Sequence, residues 1–185
     1  MVAVRRNHRR RVIARMAQRL GWTRGAELGV FRGDTFLYLL DALPALEMVG
    51  VDIWRPQPEK DGIAPGGRSY LSHDLESYFA HVTHGAQRFG PRATLMRMST
   101  VEAASRFPDG HFDFVFIDAD HTAAGVSADI MAWAPKVNAD GWIMGHDFNP
   151  RKFPGVVQCV REMVPRYRVL EDTVWAVAKT DTVFA

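Results

Sequence analysis

The sequence has very little cysteine: Cys159 is its only one. An internal disulfide, a CxxC redox pair and a multi-cysteine zinc site are therefore excluded, and any metal would be held by oxygen and imidazole ligands. The sequence also lacks an apolar run long enough to cross a bilayer, so no membrane partner is expected. Its start is basic but lacks the apolar stretch and small-residue cleavage site of a secretory signal, which predicts a cytoplasmic location.

A strong charge imbalance is also absent, since the net charge of the 185 residues is only +2. The apolar fraction of 47% and the charged fraction of 24% are typical of globular proteins. No repeat or low-complexity tract interrupts the chain. These features exclude a fibrous or largely disordered protein and predict one domain with a substantial core.

Arginines are concentrated in the first twenty residues, a feature that by itself suggests nucleic-acid binding. In the same segment Val12, Ile13, Met16 and Leu20 recur at helical spacing. Because no aromatic residues alternate with the arginines, we interpret residues 1–22 as an amphipathic helix with a solvated basic face, preceding a domain over 23–185. Nucleic acid is thus not an expected partner, whereas the helix is a candidate surface for a homodimer.

Beyond this helix, short apolar runs alternate with segments of helical periodicity, which is typical of βαβ units. Strands are predicted at 25–28, 48–53, 93–98, 111–118 and 142–145. Helices are predicted near 36–40, 71–88, 99–107, 122–133 and 155–164. Two further runs, 167–170 and 173–178, are close enough to pair as an antiparallel hairpin. The predicted fold is α/β: a doubly wound, mostly parallel seven-stranded sheet with an antiparallel C-terminal hairpin.

Polar or acidic residues stand at the ends of five successive predicted strands. They are Glu27 with Gly29, Asp52, Ser99, the segment 118–121, and the pair 146–147. Ligands of open α/β sheets bind beyond the carboxyl ends of the strands, and acidic groups gathered there repel one another unless a cation or ligand is present. This edge is therefore the predicted functional site.

The first of these turns, from Glu27 to Gly33, has the spacing E-x-G-x-x-x-G and opens onto a helix. Gly29 and Gly33 allow the backbone to approach a ligand closely, and Asp52 ends the next strand, where a carboxylate can accept ribose hydroxyls. A nicotinamide-dependent oxidoreductase shares the ribose-binding acid but requires G-x-G-x-x-G. It stays open as an alternative, as does a non-catalytic module that binds a cofactor or nucleic acid.

Together with the segments 114–121 and 142–147, these motifs resemble class I S-adenosylmethionine-dependent methyltransferases, and among them the methyltransferase-24 type. They are similar, more distantly, to metal-dependent O-methyltransferases of sugar and catechol substrates. The resemblance extends over nearly the whole chain from Gly25 onward. It implies methyl transfer from S-adenosylmethionine to a small-molecule acceptor, with a hydroxyl favoured by analogy.

The resemblance also implies cofactor-binding residues. Glu27 would face the amino group of the cofactor, and Asp52 would hold its ribose. Gly29 and Gly33 would line the methionine part, and Ser99 would lie near the adenine. The remaining residues implied in cofactor binding are Val30, Phe31, Ile53 and Asp118.

Three residues match the positions that ligate a divalent cation in the metal-dependent relatives: Asp118, His146 and Asp147. Several relatives have a third acid where this chain has His146, and imidazole is a softer ligand, so Mg²⁺, Mn²⁺ and a metal-free site all stay open. Asp120 matches a general base. The catalytic set implied by the resemblance is therefore Asp120, with His121 as an alternative proton acceptor, and Asp118.

Overall fold

The computed structural model describes residues 8–56 and 74–182, in which helices and strands alternate. The helices are α1 (Arg9–Leu20), α2 (Phe36–Ala42), α3 (Leu75–Ala86), α4 (Thr100–Ala104), α5 (Ala123–Trp133) and α6 (Pro154–Met163). The strands are β1 (Arg24–Leu28), β2 (Glu47–Asp52), β3 (Ala93–Arg97), β4 (Phe112–Ile117), β5 (Val137–Gly145), β6 (Arg168–Val169) and β7 (Trp175–Ala178).

One seven-stranded sheet contains all these strands, in the order β3-β2-β1-β4-β5-β7-β6. The first five are parallel, whereas β7 is antiparallel to β5 and β6 is antiparallel to β7. The predicted α/β fold with its antiparallel C-terminal hairpin is confirmed. The strand order reverses between β1 and β4, so the crevice expected of a doubly wound sheet opens there.

Strand β4 separates two hydrophobic cores and supplies side chains to both. Phe114 and Phe116 are buried with residues of α1, α2 and α3 on one face, while Val115 and Ile117 are buried with residues of α4, α5 and α6 on the other. A strand covered on both faces needs an almost continuous apolar sequence. This explains why β4 is the most evident strand in the sequence and why it is central.

The sequence of residues 138–141, Asn-Ala-Asp-Gly, is typical of a turn, but a turn prediction here is wrong because these residues belong to β5. Asn138 donates from its side-chain amide to Asp113 Oδ1 at 2.8 Å, and the β4–β5 register is irregular at this point. A Cβ on Gly141 would lie 2.5 Å from the carbonyl oxygen of Asp113. The glycine thus permits close approach of two strands, a role that its sequence neighbourhood does not distinguish from a turn.

Two helix starts show which side chains cap the helices. An aspartate before a helix is a common cap, but Asp34 does not cap α2: Thr35 occupies that position, and the Asp34 carboxylate pairs with Arg32 at 3.2 Å. Helix α3 begins at Leu75, where the Asp74 side chain accepts a hydrogen bond from the Ser77 N–H. The first residues of the helix predicted over 71–88 lie outside the described residues.

Helix α1 is docked on the C-terminal hairpin. Its first backbone N–H, of Arg9, donates to Asp172 Oδ2 at 2.9 Å, and Arg15 pairs with Glu171 at 3.1 Å. Val12 and Ile13 lie on the buried face of α1. No helix in the described part of the chain combines the length and apolar character needed to span a membrane.

Candidate active site

The carboxyl ends of three central strands meet at one edge of the sheet. Just beyond β1 and β4, Gly29 N–H donates to Val51 O and Asp118 N–H donates to Leu28 O, both at 2.8 Å. His146 N–H, just beyond β5, donates to Ile117 O at 3.0 Å. The parallel ladder therefore continues one residue past each strand and sets these residues side by side, as predicted.

Gly29 is required by this close packing. Its φ is +88°, and a Cβ at this position would lie 2.2 Å from the backbone oxygen of Asp118. Three non-glycine residues at the same edge, Phe31, Trp54 and Asp147, also have left-handed backbone conformations, with φ of 51°, 42° and 59°. Left-handed conformations of such residues are strained and tend to occur at functional sites.

Two carboxylates and two imidazoles form what we call the Asp–His cluster: Asp118, His121, His146 and Asp147. His121 Nε2 lies 2.8 Å from Asp147 Oδ2 and 3.9 Å from Asp118 Oδ1. His146 Nδ1 lies 3.1 Å from Asp147 Oδ1 and 3.6 Å from Asp118 Oδ1. Each imidazole therefore lies within ion-pair distance of both carboxylates, and all four side chains are at most 21% exposed.

The protonation states of the cluster follow from this pairing. Burial disfavours charge on each histidine, but hydrogen bonding and attraction by Asp118 and Asp147 outweigh it and raise the pKa of both His121 and His146 to about 9. Burial likewise opposes ionisation of the two acids, yet the same contacts hold the pKa of each carboxyl below its ordinary value. At neutral pH the cluster is thus two ion pairs.

This pairing predicts that the protein loses stability as the pH rises. His121 and His146 have a pKa of about 9 when folded, compared with about 6.5 in an unfolded chain, so the folded state retains their protons longer. Their contribution to stability is complete below about pH 6.5 and is lost as the pH rises through about 9. Chemical denaturation of metal-free protein between pH 6 and 9.5 measures this change in the free energy of unfolding. In the double variant His121→Gln, His146→Gln the free energy of unfolding should depend less on pH. The same pH dependence in variant and wild type would contradict the pairing.

Glu27 lies beside the cluster at the end of β1 and is only 2% exposed. Its Oε2 atom is buried and has no hydrogen-bond partner among residues 8–56 and 74–182. Burial raises the pKa of Glu27 well above its usual range; Arg9 opposes the rise, and the carboxylates of Asp118 and Asp52 add to it. A buried acceptor without a donor is costly, and its presence at a crevice points to a ligand that supplies the donor.

Asp52 ends β2, next to the turn that follows β1. Its Oδ2 accepts the Phe31 N–H and its Oδ1 accepts the Trp54 N–H, both at 2.8 Å. Burial raises the pKa of Asp52, while the backbone N–H groups of the turn after β1 and of the residues after β2 oppose the rise. The Trp54 ring is itself buried and donates from Nε1 to Phe31 O, so it packs against the turn after β1.

The other predicted site residues lie at the same edge but outside the Asp–His cluster. Asp120 Oδ1 accepts the Thr122 N–H at 2.8 Å, at the start of α5. Ser99 caps α4 by accepting the Glu102 N–H. The roles of Asp120 as base and Ser99 at the adenine stay predictions. Of the remaining set, Val30 is buried, Ile53 is half-buried, and Gly33 has a φ of +78° beside Val82.

Sequence reasoning missed Arg9, because the N-terminal arginines were interpreted as one solvated face. Arg11, Arg15 and Arg19 are indeed exposed, but the Arg9 side chain is only 26% exposed. Its Nε donates to Thr35 Oγ1 at 3.2 Å and lies 3.6 Å from Asp118 Oδ2. No local signal distinguishes this arginine from its neighbours, since its position depends on how α1 docks.

A divalent cation also fits part of the cluster. One ligand atom from each of Asp118, His121 and Asp147 lies within 4.8 Å of the other two. The structure thus brings the two predicted acidic ligands together and adds His121, whereas His146 contacts the same two carboxylates from another side. Two oxygens and one imidazole suit Mn²⁺ and other borderline cations.

Comparisons with known proteins identify the family and agree with the fold. The family model for a methyltransferase domain matches residues 26–148. Among structures, CalS11, described as a calicheamicin methyltransferase, has a TM-score of 0.68 at 16% identity, covering 94% of this chain and 78% of its own. A putative caffeoyl-CoA O-methyltransferase from Staphylococcus aureus has a TM-score of 0.65 at 13% identity, covering 92% and 81%.

A third structure, cofactor-bound Rv0187 from MTB, has a TM-score of 0.60 at 14% identity, covering 97% of this chain and 83% of its own. No curated protein sequence matches. At these identities the structures establish the fold, while the family model spans about two thirds of the chain. The chain therefore belongs to the methyltransferase-domain family of class I methyltransferases.

Proposed function

We propose that this protein transfers a methyl group from S-adenosylmethionine to a hydroxyl of a small-molecule acceptor. The observation that carries the proposal is the edge formed by β1, β2 and β4. There, the Asp52 carboxylate and the Asp–His cluster lie at the same edge of the sheet as a buried Glu27 oxygen that has no hydrogen-bond partner among the described residues. The fold is similar to that of the structure described as cofactor-bound Rv0187, which supports the binding of a cofactor.

The chain offers a complementary group for each polar part of such a cofactor. Glu27 Oε2 would accept a hydrogen bond from the amino group, and the Asp52 carboxylate would accept the ribose hydroxyls. When bound, S-adenosylmethionine supplies an electrophilic methyl group for in-line displacement. The remaining tasks of the protein are alignment and removal of the acceptor proton.

His121 is the residue that we assign to proton removal. Its Nε2 lies 2.8 Å from Asp147, an ion-pair contact without hydrogen-bond geometry, and we assign Nδ1 to receive a proton from the acceptor hydroxyl. The ring lies against Phe153 with centroids 4.6 Å apart, which holds its orientation. Asp147 stabilises the resulting imidazolium, the arrangement that a general base needs. Asp118 and His146 form a second ion pair beside His121, so the charges of the Asp–His cluster balance.

Ligand-induced stabilisation tests the cofactor class. A saturating excess of S-adenosylhomocysteine, at about 100 times its Kd, should raise the melting temperature by roughly 5–10 °C, whereas NADH should leave it unchanged. Stabilisation by NADH alone would favour the oxidoreductase alternative. Incubation of labelled S-adenosylmethionine with mixtures of hydroxyl compounds then identifies the acceptor class, and transfer only to amines or carbon would refute the hydroxyl assignment.

Metal assistance is a second proposal, favoured by the compact group of Asp118, His121 and Asp147. These residues would hold a divalent cation that acts as a Lewis acid on the acceptor oxygen. Calorimetry should detect Mn²⁺ binding that strengthens towards pH 9 and releases protons, because His121 must be neutral to act as a ligand. Asp118→Asn should weaken binding at least tenfold, while Asp109→Asn, at an exposed pair with Lys136, should not. Absence of binding at millimolar Mn²⁺ would exclude this proposal.

A further inference from the structure

Arg9 places a positive charge inside the candidate active site. Its guanidinium lies between Thr35, which accepts from Nε at 3.2 Å, and Asp118, whose Oδ2 is 3.6 Å away. Thr35 is 1% exposed. Among residues 8–56 and 74–182, Thr35 Oγ1 accepts a hydrogen bond from Nε, and the N–H donors of both Nη groups have no acceptor.

The position of Arg9 is fixed by polar contacts of α1 with residues 171–172 and by the buried apolar face of the helix. The backbone N–H of Arg9 donates to Asp172 Oδ2, and one turn and a half further along α1, Arg15 pairs with Glu171. Val12 and Ile13 anchor the buried face of the same helix. The docking of α1 therefore holds the guanidinium beside Thr35 and Asp118, where the Arg9 side chain is less exposed than the exposed arginines of the same helix.

Asp118 does not require this charge for its own neutralisation, because His121 and His146 already lie within 3.9 Å and 3.6 Å of its Oδ1. Thr35 uses one of the five N–H donors of Arg9. The unused edge of a guanidinium is a planar fork that matches the two oxygens of a carboxylate. A half-buried arginine with an unused fork indicates an anionic ligand.

Glu27 is a group of opposite sign close enough for its carboxyl and the Arg9 guanidinium each to shift the pKa of the other. Its buried Oε2 has no hydrogen-bond partner in the described part of the chain. A free amino acid group carries one ammonium and one carboxylate on the same carbon, so its recognition requires an anion and a cation side by side. We propose that Arg9 binds the carboxylate of the methionine moiety of S-adenosylmethionine while Glu27 receives its ammonium. This inference rests on the proposed function and assigns to α1 a direct role in cofactor selection.

A cofactor analogue without the carboxylate provides the decisive comparison. Calorimetry would measure the affinities of S-adenosylmethionine and of decarboxylated S-adenosylmethionine for the wild type, Arg9→Gln, Arg9→Lys and Arg11→Gln. The wild type should prefer the carboxylate form by about 10- to 100-fold, the range of a charge-assisted hydrogen bond. Arg9→Gln should reduce this preference to near unity, and Arg9→Lys should keep part of it. Arg11→Gln changes an exposed arginine of the same helix and should behave as the wild type.

The ratio of the two affinities serves as an internal control, because a general loosening of α1 weakens both ligands equally. If Arg9→Gln retained the wild-type preference, the inference would be overturned even if both affinities fell. A wild-type preference below about twofold would overturn it as well, while leaving the proposed function intact. Failure of the wild type to bind either compound would overturn the proposed function and this inference together.

Discussion

Replacing His121 by glutamine is expected to lower kcat/KM for methyl transfer by about 10²- to 10⁴-fold, the usual contribution of a general base. Glutamine retains the polar character and approximate size of the side chain but cannot accept the acceptor proton. Cofactor affinity should change by less than about threefold, since the proposed function assigns the polar ends of the cofactor to Glu27 and Asp52. Initial rates with labelled S-adenosylmethionine, combined with calorimetric cofactor affinities, measure both effects.

His84→Gln is the matched control for this prediction, because His84 is exposed on α3 and should leave both quantities unchanged. The pH profile adds a second readout. Wild-type kcat/KM should increase with pH until about 9, where the pKa of His121 lies, because only the neutral imidazole accepts a proton. The same rise in the His121→Gln variant, or near wild-type activity of that variant, would show that another residue removes the proton.

Replacing Gly29 by alanine is expected to destabilise the protein by about 2–5 kcal/mol and to abolish cofactor binding. Part of this cost, about 1–2 kcal/mol, arises from placing a Cβ in the left-handed region. A further 1–3 kcal/mol follows from overpacking, because the new methyl would lie 2.2 Å from the Asp118 carbonyl oxygen and push β1 and β4 apart. Urea denaturation and calorimetry with S-adenosylhomocysteine measure the two effects.

Gly21→Ala separates the two contributions. Gly21 also has a positive φ, of +70°, but a Cβ at this position would meet no atom within 4 Å. This variant should therefore show only the backbone cost and retain cofactor binding. If Gly29→Ala were no more destabilising than Gly21→Ala, the close contact between the turn after β1 and Asp118 would be refuted.

Much of the fold was predictable because its signals are local. The near-continuous apolar sequence of β4 reflects burial on both faces, and the periodicities of α5 and α6 reflect burial of one face. The failures occurred where a local pattern has two physical meanings. Gly141 resembles a turn residue in sequence, but it lies within β5 and permits close approach to Asp113.

The site was predictable to the extent that strand ends define it. Asp118 and Asp147 follow neighbouring parallel strands, so their proximity follows from strand order. The sequence does not specify side-chain direction within the connecting loops. Asp120 and His121 are adjacent, yet Asp120 bonds to the start of α5 while His121 reaches Asp147.

By itself, the sequence determined the α/β class, the strand ends that carry the acidic residues, and the turn from Glu27 to Gly33, because hydrophobic period and turn chemistry act over a few residues. Only the tertiary structure decided that Arg9 enters the site. Its helix is held by Asp172, 163 residues away in sequence. Such a contact depends on the docking of two distant segments, and the local sequence pattern of neither segment predicts it.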